Sequence, residues 1–218
     1  ALPIFALQSG MESMSKENLA DRGIMVGDPM YDAFLQYSQK VNIDEIVLTS
    51  LSGEKLNVPS KFYYLTCHRE ENTNDDKNLL EILKAMEQLD SPTIYPVHPR
   101  NRARAQRLND KYHLKNILLV EPVGYLESVC LVNNSIKIVT DSGGLQREAF
   151  FAKKKCVTIL DFVCWPETMV EGRNELSKPD SVEILEKLKH EQKIDEGYEP
   201  FGDGHAAVKI VHALENLK

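Results

Sequence analysis

The chain has 218 residues, of which 42% are hydrophobic and 27% are charged, and its formal net charge is −7. That length suits one large domain or two small ones with a sizeable buried core. The acidic balance argues against a nucleic-acid-binding protein, because such domains carry a basic face. No apolar stretch approaches the roughly 18 residues of a membrane span, and the first seven residues lack the basic flank of a signal peptide. We therefore expect a globular protein that contacts neither nucleic acid nor membrane.

From residue 61 onward, short apolar runs alternate with amphipathic segments of helical spacing, whereas residues 1–60 are expected to form a helical or irregular lead-in. The apolar runs predict strands over Phe62–Cys67, Thr93–Val97, Asn116–Val120, Ile136–Thr140, Lys155–Leu160 and Asn174–Ser177. The amphipathic segments predict helices over Asn78–Leu89, Arg100–Lys111, Gly124–Asn133, Ser181–Glu191 and His205–Leu217, with a further helix from Leu145.

This alternation is typical of an α/β fold, in which a Rossmann-like, doubly wound parallel sheet is covered by helices on both faces. We therefore predict a lead-in over residues 1–60 and a Rossmann-like domain with a closing C-terminal helix over residues 61–218. Three of the four cysteines (Cys67, Cys130 and Cys156) lie in apolar segments and predict buried free thiols, which suits a reducing cytoplasm. The cysteines form no zinc-binding pattern.

Unusual polar clusters follow the predicted strands, at the point where each strand ends. In sheets of this class, ligands bind beyond the carboxyl ends of the strands. This placement predicts one ligand site at that edge of the sheet, built from His68-Arg69-Glu70-Glu71-Asn72, His98-Pro99-Arg100-Asn101, Glu121-Pro122, Asp141-Ser142-Gly143-Gly144 and Asp161 with Trp165-Pro166-Glu167-Thr168.

The segment from Ile136 to Ala149 combines a strand, a tight turn with two glycines and a helix start. Asp141 or Ser142 can cap this helix. Gly143 and Gly144 let a ligand approach free backbone N–H groups at the positive end of the helix dipole, which suits a phosphate. Glu148 could then accept hydrogen bonds from sugar hydroxyls. A capped turn without any ligand is the alternative.

Two further loops carry side chains suited to an anionic ligand. His68 could contact a phosphate or act as an acid or base, and Arg69 could pair with an anion, although both could instead belong to a solvated loop. His98 stands before Pro99 at a helix start, where it can bind a ligand in its neutral form or serve as a cap. Trp165 could wall a sugar or base pocket or only seal the core.

Several common motifs are missing, and their absence narrows the function. The first predicted strand is not followed by Gly-x-Gly-x-x-Gly, which disfavours a nicotinamide or flavin enzyme. The chain lacks Gly-x-x-x-x-Gly-Lys-Ser/Thr, the phosphate loop of many phosphotransferases. Ser142 does not stand in the Gly-x-Ser-x-Gly turn of hydrolases.

Taken together, the motifs resemble the C-terminal half of the non-hydrolysing UDP-N-acetylglucosamine 2-epimerases. The matching pieces occur in the order of that family: Val26-Gly27-Asp28-Pro29-Met30-Tyr31-Asp32-Ala33, His68-Arg69-Glu70-Glu71-Asn72, His98-Pro99, Thr140-Asp141-Ser142-Gly143-Gly144-Leu145-Gln146-Arg147-Glu148-Ala149, Trp165-Pro166-Glu167 with Gly172 and Asn174, and Pro200-Phe201-Gly202-Asp203-Gly204.

The resemblance implies a fold like the second domain of GT-B glycosyltransferases, with a UDP-sugar in the cleft between two Rossmann-like domains. It implies that Ser142, Gly143 and Gly144 bind the diphosphate, that Glu148 holds the ribose hydroxyls and that His68 lies by the sugar phosphates. It implies elimination of UDP to a 2-acetamidoglucal and re-addition with inverted C2, without metal or nicotinamide. A cytoplasmic role in cell-surface polysaccharide biosynthesis goes with this chemistry.

The chain also departs from the family pattern. Glu70 replaces the commoner arginine of the His68 loop, and Val163-Cys164-Trp165 replaces the commoner Thr-Glu-Arg before Pro-Glu. A tryptophan there is similar to the branch that acts on diacetamido-uronic acid nucleotides. A first Rossmann domain of roughly 150 residues, which carries the C2 acid/base carboxylates in the family, has no counterpart before residue 61.

We therefore expect that this chain alone does not catalyse epimerisation. It would be a fragment, a subunit that needs a partner chain, or a degenerate copy, and it would self-associate as a homo-oligomer through exposed apolar surface. Two alternatives stay open: the nucleotide-binding domain of a GT-B glycosyltransferase, and a non-catalytic binding module.

Overall fold

A computed structural model describes residues 4–216 of the chain. The contacts divide the chain into two compact units. The first unit combines Ala1–Gln39 with Asp195–Lys218, and the second unit is Lys40–Ile194. This division places residues 40–60 with the sheet and the last helix with the lead-in, whereas the sequence suggested a boundary near residue 60. None of the helices formed by residues 4–216 is long and apolar enough to cross a membrane.

Strands and helices alternate through most of the described chain. The strands are β1 Ile4–Phe5, β2 Ile24–Met25, β3 Val47–Thr49, β4 Lys55–Asn57, β5 Tyr63–Thr66, β6 Thr93–Pro96, β7 Ile117–Val120, β8 Ile138–Thr140, β9 Cys156–Ile159 and β10 Asn174–Ser177. The helices are α1 Gln8–Lys16, α2 Pro29–Tyr37, α3 Glu70–Thr73, α4 Asp76–Glu87, α5 Arg102–Tyr112, α6 Tyr125–Asn134, α7 Gly143–Phe151, α8 Ser181–Lys189 and α9 Ala206–Glu215.

The second unit is built on a six-stranded parallel sheet with the strand order β10-β9-β8-β5-β6-β7. Because side chains alternate between the two faces of a strand, each strand contributes to two cores. Alternate residues such as Leu65, Tyr95 and Val139 pack with α4, α5 and α8 in one apolar cluster. On the other face, the Tyr64 hydroxyl contacts Ser128 Oγ of α6 at 3.1 Å. The predicted α/β class with a Rossmann-like parallel sheet is confirmed.

The predicted strands and helices of this unit are all present, with ends shifted by a few residues. Asp75 accepts a hydrogen bond from Lys77 N and caps α4, the observed form of the helix predicted over Asn78–Leu89. The helix predicted over His205–Leu217 is observed as Ala206–Glu215, and Leu217 lies outside the described residues.

The prediction of a helical or irregular chain up to residue 60 was wrong for the parallel pair of β1 and β2, and also for β3 and β4, which form an antiparallel hairpin. Its apolar residues, including the buried Ile46 and Leu48, suited helix and strand spacing equally well. Tertiary pairing decides between them, since Leu51 N donates to Leu119 O and Glu121 N donates to Thr49 O. The hairpin therefore covers part of the edge strand β7.

In the first unit, the Gly27 turn and the Pro200–Gly204 segment pack backbone against backbone. Gly27 has a φ of +93°, and an added Cβ would lie 3.0 Å from the Phe201 carbonyl oxygen. Asp28 N donates to that same carbonyl at 2.9 Å. One turn later, Asp32 accepts hydrogen bonds from the backbone N–H groups of Ala206 and Ala207, at 3.1 and 2.7 Å. Two motifs far apart in the sequence are thus one structural feature, in which α2 caps α9.

Replacing Asp32 with alanine should destabilise the start of α9. The change leaves two N–H groups of the first helical turn without their acceptor, and loss of such a cap costs about 1 kcal/mol. We expect hydrogen exchange at the amides of α9 to accelerate by about fivefold or more. The control is Glu12→Ala, on the exposed side of α1, which should leave that exchange unchanged. Equal protection of α9 in both variants would contradict the capping role.

Candidate functional site

The candidate site lies where β5 and β8 end side by side. From β5 the chain proceeds to β6 and β7 on one side and then returns to β8 on the other, so the strand order reverses between β5 and β8. Ligands of open α/β sheets bind at such a switch point. His68, after β5, and Asp141, after β8, meet there, with 3.1 Å between His68 Nδ1 and Asp141 Oδ1. The predicted meeting of these two strand ends is confirmed.

Asp141 is fully buried at the centre of this site. Its carboxylate accepts hydrogen bonds from the backbone N–H groups of His68 at 2.9 Å and Arg69 at 2.8 Å, and from Asn72 Nδ2 at 3.2 Å. Its carbonyl oxygen accepts a further hydrogen bond from Arg69 Nε at 2.8 Å. Asp141 therefore holds the loop from His68 to Asn72 against the end of β8. A direct contact between Asp141 and UDP stays a prediction.

The contact between His68 and Asp141 determines the protonation states of both side chains. Burial by itself would raise the pKa of Asp141, but the hydrogen bonds from His68, Arg69 and Asn72 outweigh burial, and the pKa lies below its ordinary value. The hydrogen bond to Asp141 raises the pKa of His68 above its ordinary value, against burial and the positive charges of Arg69 and Arg100. The pair therefore favours an imidazolium beside a carboxylate.

His98 lies next to His68, as the placement of both residues at strand ends predicted. The two rings are stacked with 6.5 Å between their centroids and 26° between their planes. His98 Nδ1 accepts a hydrogen bond from Arg100 N at 3.2 Å and so caps the short helix that starts at Pro99. Arg100 also approaches the His68 carbonyl oxygen at 3.3 Å. Of the two roles left open for His98, the cap is observed, and its contact with a ligand stays a prediction.

Helix α7 begins directly after β8 with an end suited to an anion. Ser142 is its N-cap, because Ser142 Oγ accepts a hydrogen bond from Leu145 N at 3.3 Å. Of the two possible caps, Ser142 is used and Asp141 is not. Among the residues that the structure describes, the N–H groups of Gly143 and Gly144 have no protein acceptor. Both N–H groups and the positive end of the helix dipole can therefore meet a phosphate.

The loop after β9 packs against this helix start. A Cβ on Gly143 would lie 2.8 Å from Cys164 Sγ and 3.1 Å from Trp165 Nε1, so any larger residue would displace these two side chains. The Arg147 guanidinium lies 4.2 Å from the centre of the Trp165 ring, in cation–π geometry. Glu167 follows in a half-buried 3-10 helix. Trp165 thus walls the start of α7, while contacts of Trp165 and Glu167 with a ligand stay predictions.

The same loop reaches Arg69 through an aromatic side chain. The Arg69 guanidinium lies 5.5 Å from the centre of the Phe162 ring. Phe162 and Val163 are about half exposed, at 46% and 48%. Phe162 therefore stands beside the arginine that could pair with an anion, and the exposed Val163 follows it in the same loop.

Glu148 lies in α7, about one turn beyond the two glycines, and is only 5% exposed. Burial raises the pKa of Glu148 to about 7, although Arg147 and a hydrogen bond from Tyr125 act in the opposite direction. A buried carboxylate is a strong acceptor for ligand hydroxyls. This position fits the predicted contact with ribose, which itself stays a prediction.

Tyr125 is the residue of the site that the sequence reasoning missed. It is 44% exposed at the start of α6 and donates its hydroxyl to Glu148. It follows the Glu121-Pro122 end of β7, so the rule that ligands bind at the carboxyl ends of strands could have included it. Tyr125 was not predicted as a site residue because the chain between Pro122 and Tyr125 carries no cluster of charged residues.

The cysteines are free, with Cys67, Cys130 and Cys156 buried as predicted and Cys164 half-buried. Among residues 4–216, no group of three histidine, cysteine, aspartate or glutamate side chains is placed to hold a metal ion. The arrangement instead combines free N–H groups, an imidazole and a buried carboxylate. That combination suits a ligand that carries both phosphate and hydroxyl groups.

Comparison with known proteins gives a consistent result. The family described as UDP-N-acetylglucosamine 2-epimerase matches residues 4–215. The chain is 40% identical over 210 residues to a UDP-N-acetylglucosamine 2-epimerase homolog of Methanococcus maripaludis, covering 92% of this chain and 58% of that protein. It is 34% identical over 206 residues to the UDP-2,3-diacetamido-2,3-dideoxy-D-glucuronate 2-epimerase of Pseudomonas aeruginosa, covering 92% of this chain and 55% of that protein. The chain thus spans a little over half the length of these relatives.

Solved structures show the same likeness. The Methanocaldococcus jannaschii UDP-GlcNAc 2-epimerase in complex with UDP-GlcNAc and UDP has a TM-score of 0.78 and 28% identity, covering 97% of this chain and 60% of that chain. The UDP-GlcNAc 2-epimerase from Neisseria meningitidis bound to UDP-GlcNAc also has a TM-score of 0.78, with 24% identity, covering 97% of this chain and 60% of that chain. At 24% identity, the similarity to the Neisseria meningitidis structure shows a shared fold only.

Proposed function

Because this chain belongs to the UDP-N-acetylglucosamine 2-epimerase family, we propose that it forms the UDP-binding part of a UDP-sugar 2-epimerase. One observation carries the proposal. The free N–H groups of Gly143 and Gly144 lie at the start of the helix that also carries the buried Glu148, beside the His68–Asp141 pair. The family membership disfavours the glycosyltransferase alternative.

The diphosphate would bind at the start of α7. Gly143 and Gly144 donate N–H groups to it, and the helix dipole adds to the attraction. His68, with its Nδ1 directed at Asp141, offers Nε2 to a phosphate oxygen. A charged donor of this kind strengthens a hydrogen bond to phosphate.

The ribose would bind one helical turn further along. Glu148 stands four residues after Gly144, which corresponds to about 6 Å along the helix axis. That distance suits the step from a diphosphate to the ribose of the same nucleotide. Glu148 would accept hydrogen bonds from the ribose hydroxyls, and the exposed ring of Tyr125 would line the same side of the pocket.

In the reaction that the family implies, a base removes the C2 proton of the sugar while the C1–O bond breaks and UDP leaves. UDP then adds back to the glycal, and the proton returns to the opposite face of C2. In this chain, His68 and the start of α7 would stabilise the negative charge on the departing UDP. The residues that move the C2 proton would come from a further domain or a partner chain.

We propose that the active protein contains such a further domain or partner chain, since the curated relatives are considerably longer than this chain. The exposed Val208, Val211 and Leu214 on one side of α9 support association, including self-association. The free cysteines suit a reducing cytoplasm, where nucleotide sugars for cell-surface polysaccharides would be processed.

Calorimetric titration with UDP tests the nucleotide site. Wild type should bind UDP, and Glu148→Ala should weaken binding by about 10- to 100-fold, because hydrogen bonds to a charged group are lost. Ser142→Ala should weaken binding by a smaller factor, through loss of the cap that orders the helix start. Asp110→Asn, an exposed change on α5, is the control. Absence of binding by wild type at millimolar UDP would overturn the proposal for this chain.

A further inference from the structure

The two carboxylate oxygens of Asp141 have different sets of partners. Oδ2 accepts hydrogen bonds from the N–H groups of His68 and Arg69 and from Asn72 Nδ2, at 2.8–3.2 Å. Oδ1 faces His68, at 3.1 Å from its backbone N and 3.1 Å from its ring Nδ1. Both oxygens therefore hold the loop, and Oδ1 alone also meets the imidazole.

We propose that Asp141 is a positioning residue, which through His68 Nδ1 determines that Nε2 of the imidazole faces the bound diphosphate as a proton donor. The inference deepens the proposed function and rests on it for the identity of the ligand. Asp141 itself is fully buried, whereas the His68 side chain is 43% exposed. The imidazole ring of His68 therefore connects the buried carboxylate to the open side of the site.

The geometry leaves the ring little freedom. The backbone of His68 is bonded to the same carboxylate as its ring, so loop and imidazole move together. The ring is stacked on His98 at 6.5 Å, and His98 Nδ1 is occupied by Arg100 N. Rotation of the His68 ring by half a turn would exchange Nδ1 for a carbon and break the contact with Asp141. Nε2 is therefore directed away from Asp141.

The charges around His68 come from several elements. Asp141 after β8 raises the pKa of His68, whereas Arg69 in the same loop and Arg100 after β6 lower it, and the net pKa lies above its ordinary value. Arg100 is itself paired with Glu70 at 3.3 Å, which partly offsets its effect on His68. When His68 loses its proton, the contact with Asp141 keeps the remaining proton on Nδ1, and Nε2 becomes an acceptor that repels phosphate. UDP affinity should therefore decline as the pH rises through the pKa of His68.

Nuclear magnetic resonance of the histidine side chains tests the pair directly, with His68→Gln used to assign the His68 signals. In wild type we expect a His68 pKa above its ordinary value and, at high pH, the neutral form protonated on Nδ1. Asp141→Asn should lower that pKa by about one unit, which corresponds to a tenfold change in proton affinity. Asp110→Asn removes one negative charge from the exposed face of α5 and should change neither property.

UDP titration in a double-mutant cycle separates positioning from a purely structural role. Asp141→Asn should weaken UDP binding at pH 7 by about tenfold in the wild-type background, and by less than about twofold in the His68→Gln background. The wild-type affinity should fall with rising pH, and that dependence should be lost in His68→Gln.

Three results would overturn the inference: a neutral His68 protonated on Nε2 in wild type, a His68 pKa unchanged by Asp141→Asn, or equal weakening of UDP binding by Asp141→Asn in both backgrounds. If Asp141→Asn does not fold, the NMR measurement on wild type still tests the inference, because it shows which nitrogen of neutral His68 carries the proton. If wild type binds no UDP, the proposed function fails, whereas the His68 measurements still support or refute the pairing.

Discussion

Replacing Glu148 with glutamine is expected to raise the free energy of unfolding at pH 7.5 by about 2–3 kcal/mol. Burial raises the pKa of this carboxyl to about 7, with Arg147 and Tyr125 opposing the shift. Above that pH the folded protein holds a buried carboxylate, which costs free energy that a neutral amide of the same shape avoids. The same replacement should weaken UDP binding, because the amide is a poorer acceptor for hydroxyl groups than a carboxylate.

The pH dependence of this effect has a definite sign. An unfolded chain releases the Glu148 proton near the ordinary pKa of 4.5, whereas the folded chain retains it until about pH 7. The stabilisation by the proton is therefore complete below about pH 4.5 and is lost as the pH rises to about 7. We expect wild type and Glu148→Gln to be equally stable at pH 4, and their difference to grow across this window and then level off.

Urea unfolding at several pH values measures this difference. Glu186→Gln, on the exposed side of α8, is the control and should match wild type throughout. A difference that is constant with pH would contradict the assignment to a raised pKa. Stability lost at a position that improves ligand binding is a known trade-off of functional sites.

The second large effect concerns the opposite end of the sheet, where Lys155 is 2% exposed before β9. Lys155 Nζ donates to the Gly172 carbonyl oxygen at 2.6 Å and forms an ion pair with Glu175 of β10. His190 Nδ1 lies 3.0 Å from the same carboxylate. Removing one partner of a buried ion pair leaves a buried charge without compensation.

Glu175→Ala should therefore lower the free energy of unfolding by about 3 kcal/mol, whereas Lys155→Met should change it by about 1 kcal/mol or less. In Lys155→Met, the partly exposed Glu175 keeps His190 and water as partners, and the apolar side chain fills the space of the lysine stem. The double variant should recover most of the loss seen in Glu175→Ala. Urea unfolding at pH 7 measures all three variants.

Acid should reproduce part of the Glu175→Ala effect. Burial would raise the pKa of Glu175, but the contacts with Lys155 and His190 outweigh it, and the pKa lies below its ordinary value of 4.5. The stabilisation is therefore present above that ordinary value and is lost as the pH falls through the lower, folded value. UDP binding at pH 7 should be unchanged in Lys155→Met, because this pair lies at the amino ends of the strands. Equal losses in Glu175→Ala and Lys155→Met would contradict the account.

Local sequence patterns determined the class of the fold. Short apolar runs and helical spacing each depend on which side chains must be buried, so they identified all six strands of the main sheet and the helices α4 to α7 between them. The rule that ligands bind at strand ends then placed His68, His98, Asp141 and Trp165 at one edge before any contact was known. The two glycines before Glu148 indicated a phosphate-binding helix start for the same reason, since free N–H groups follow from local geometry.

Only the tertiary structure decided the features that depend on contacts between distant residues, namely the β3–β4 hairpin and the separate roles of Asp141 and Ser142. The hairpin of β3 and β4 was not recognised, because its short apolar pieces suit either spacing and only pairing with β7 selects the strand. The sequence allowed Asp141 or Ser142 as the helix cap, and both residue types favour that position. The structure gives the cap to Ser142 and directs Asp141 to His68, 73 residues away in the sequence. No local sequence pattern predicts this contact, because the partner of a buried carboxylate depends on which strands lie side by side in the sheet.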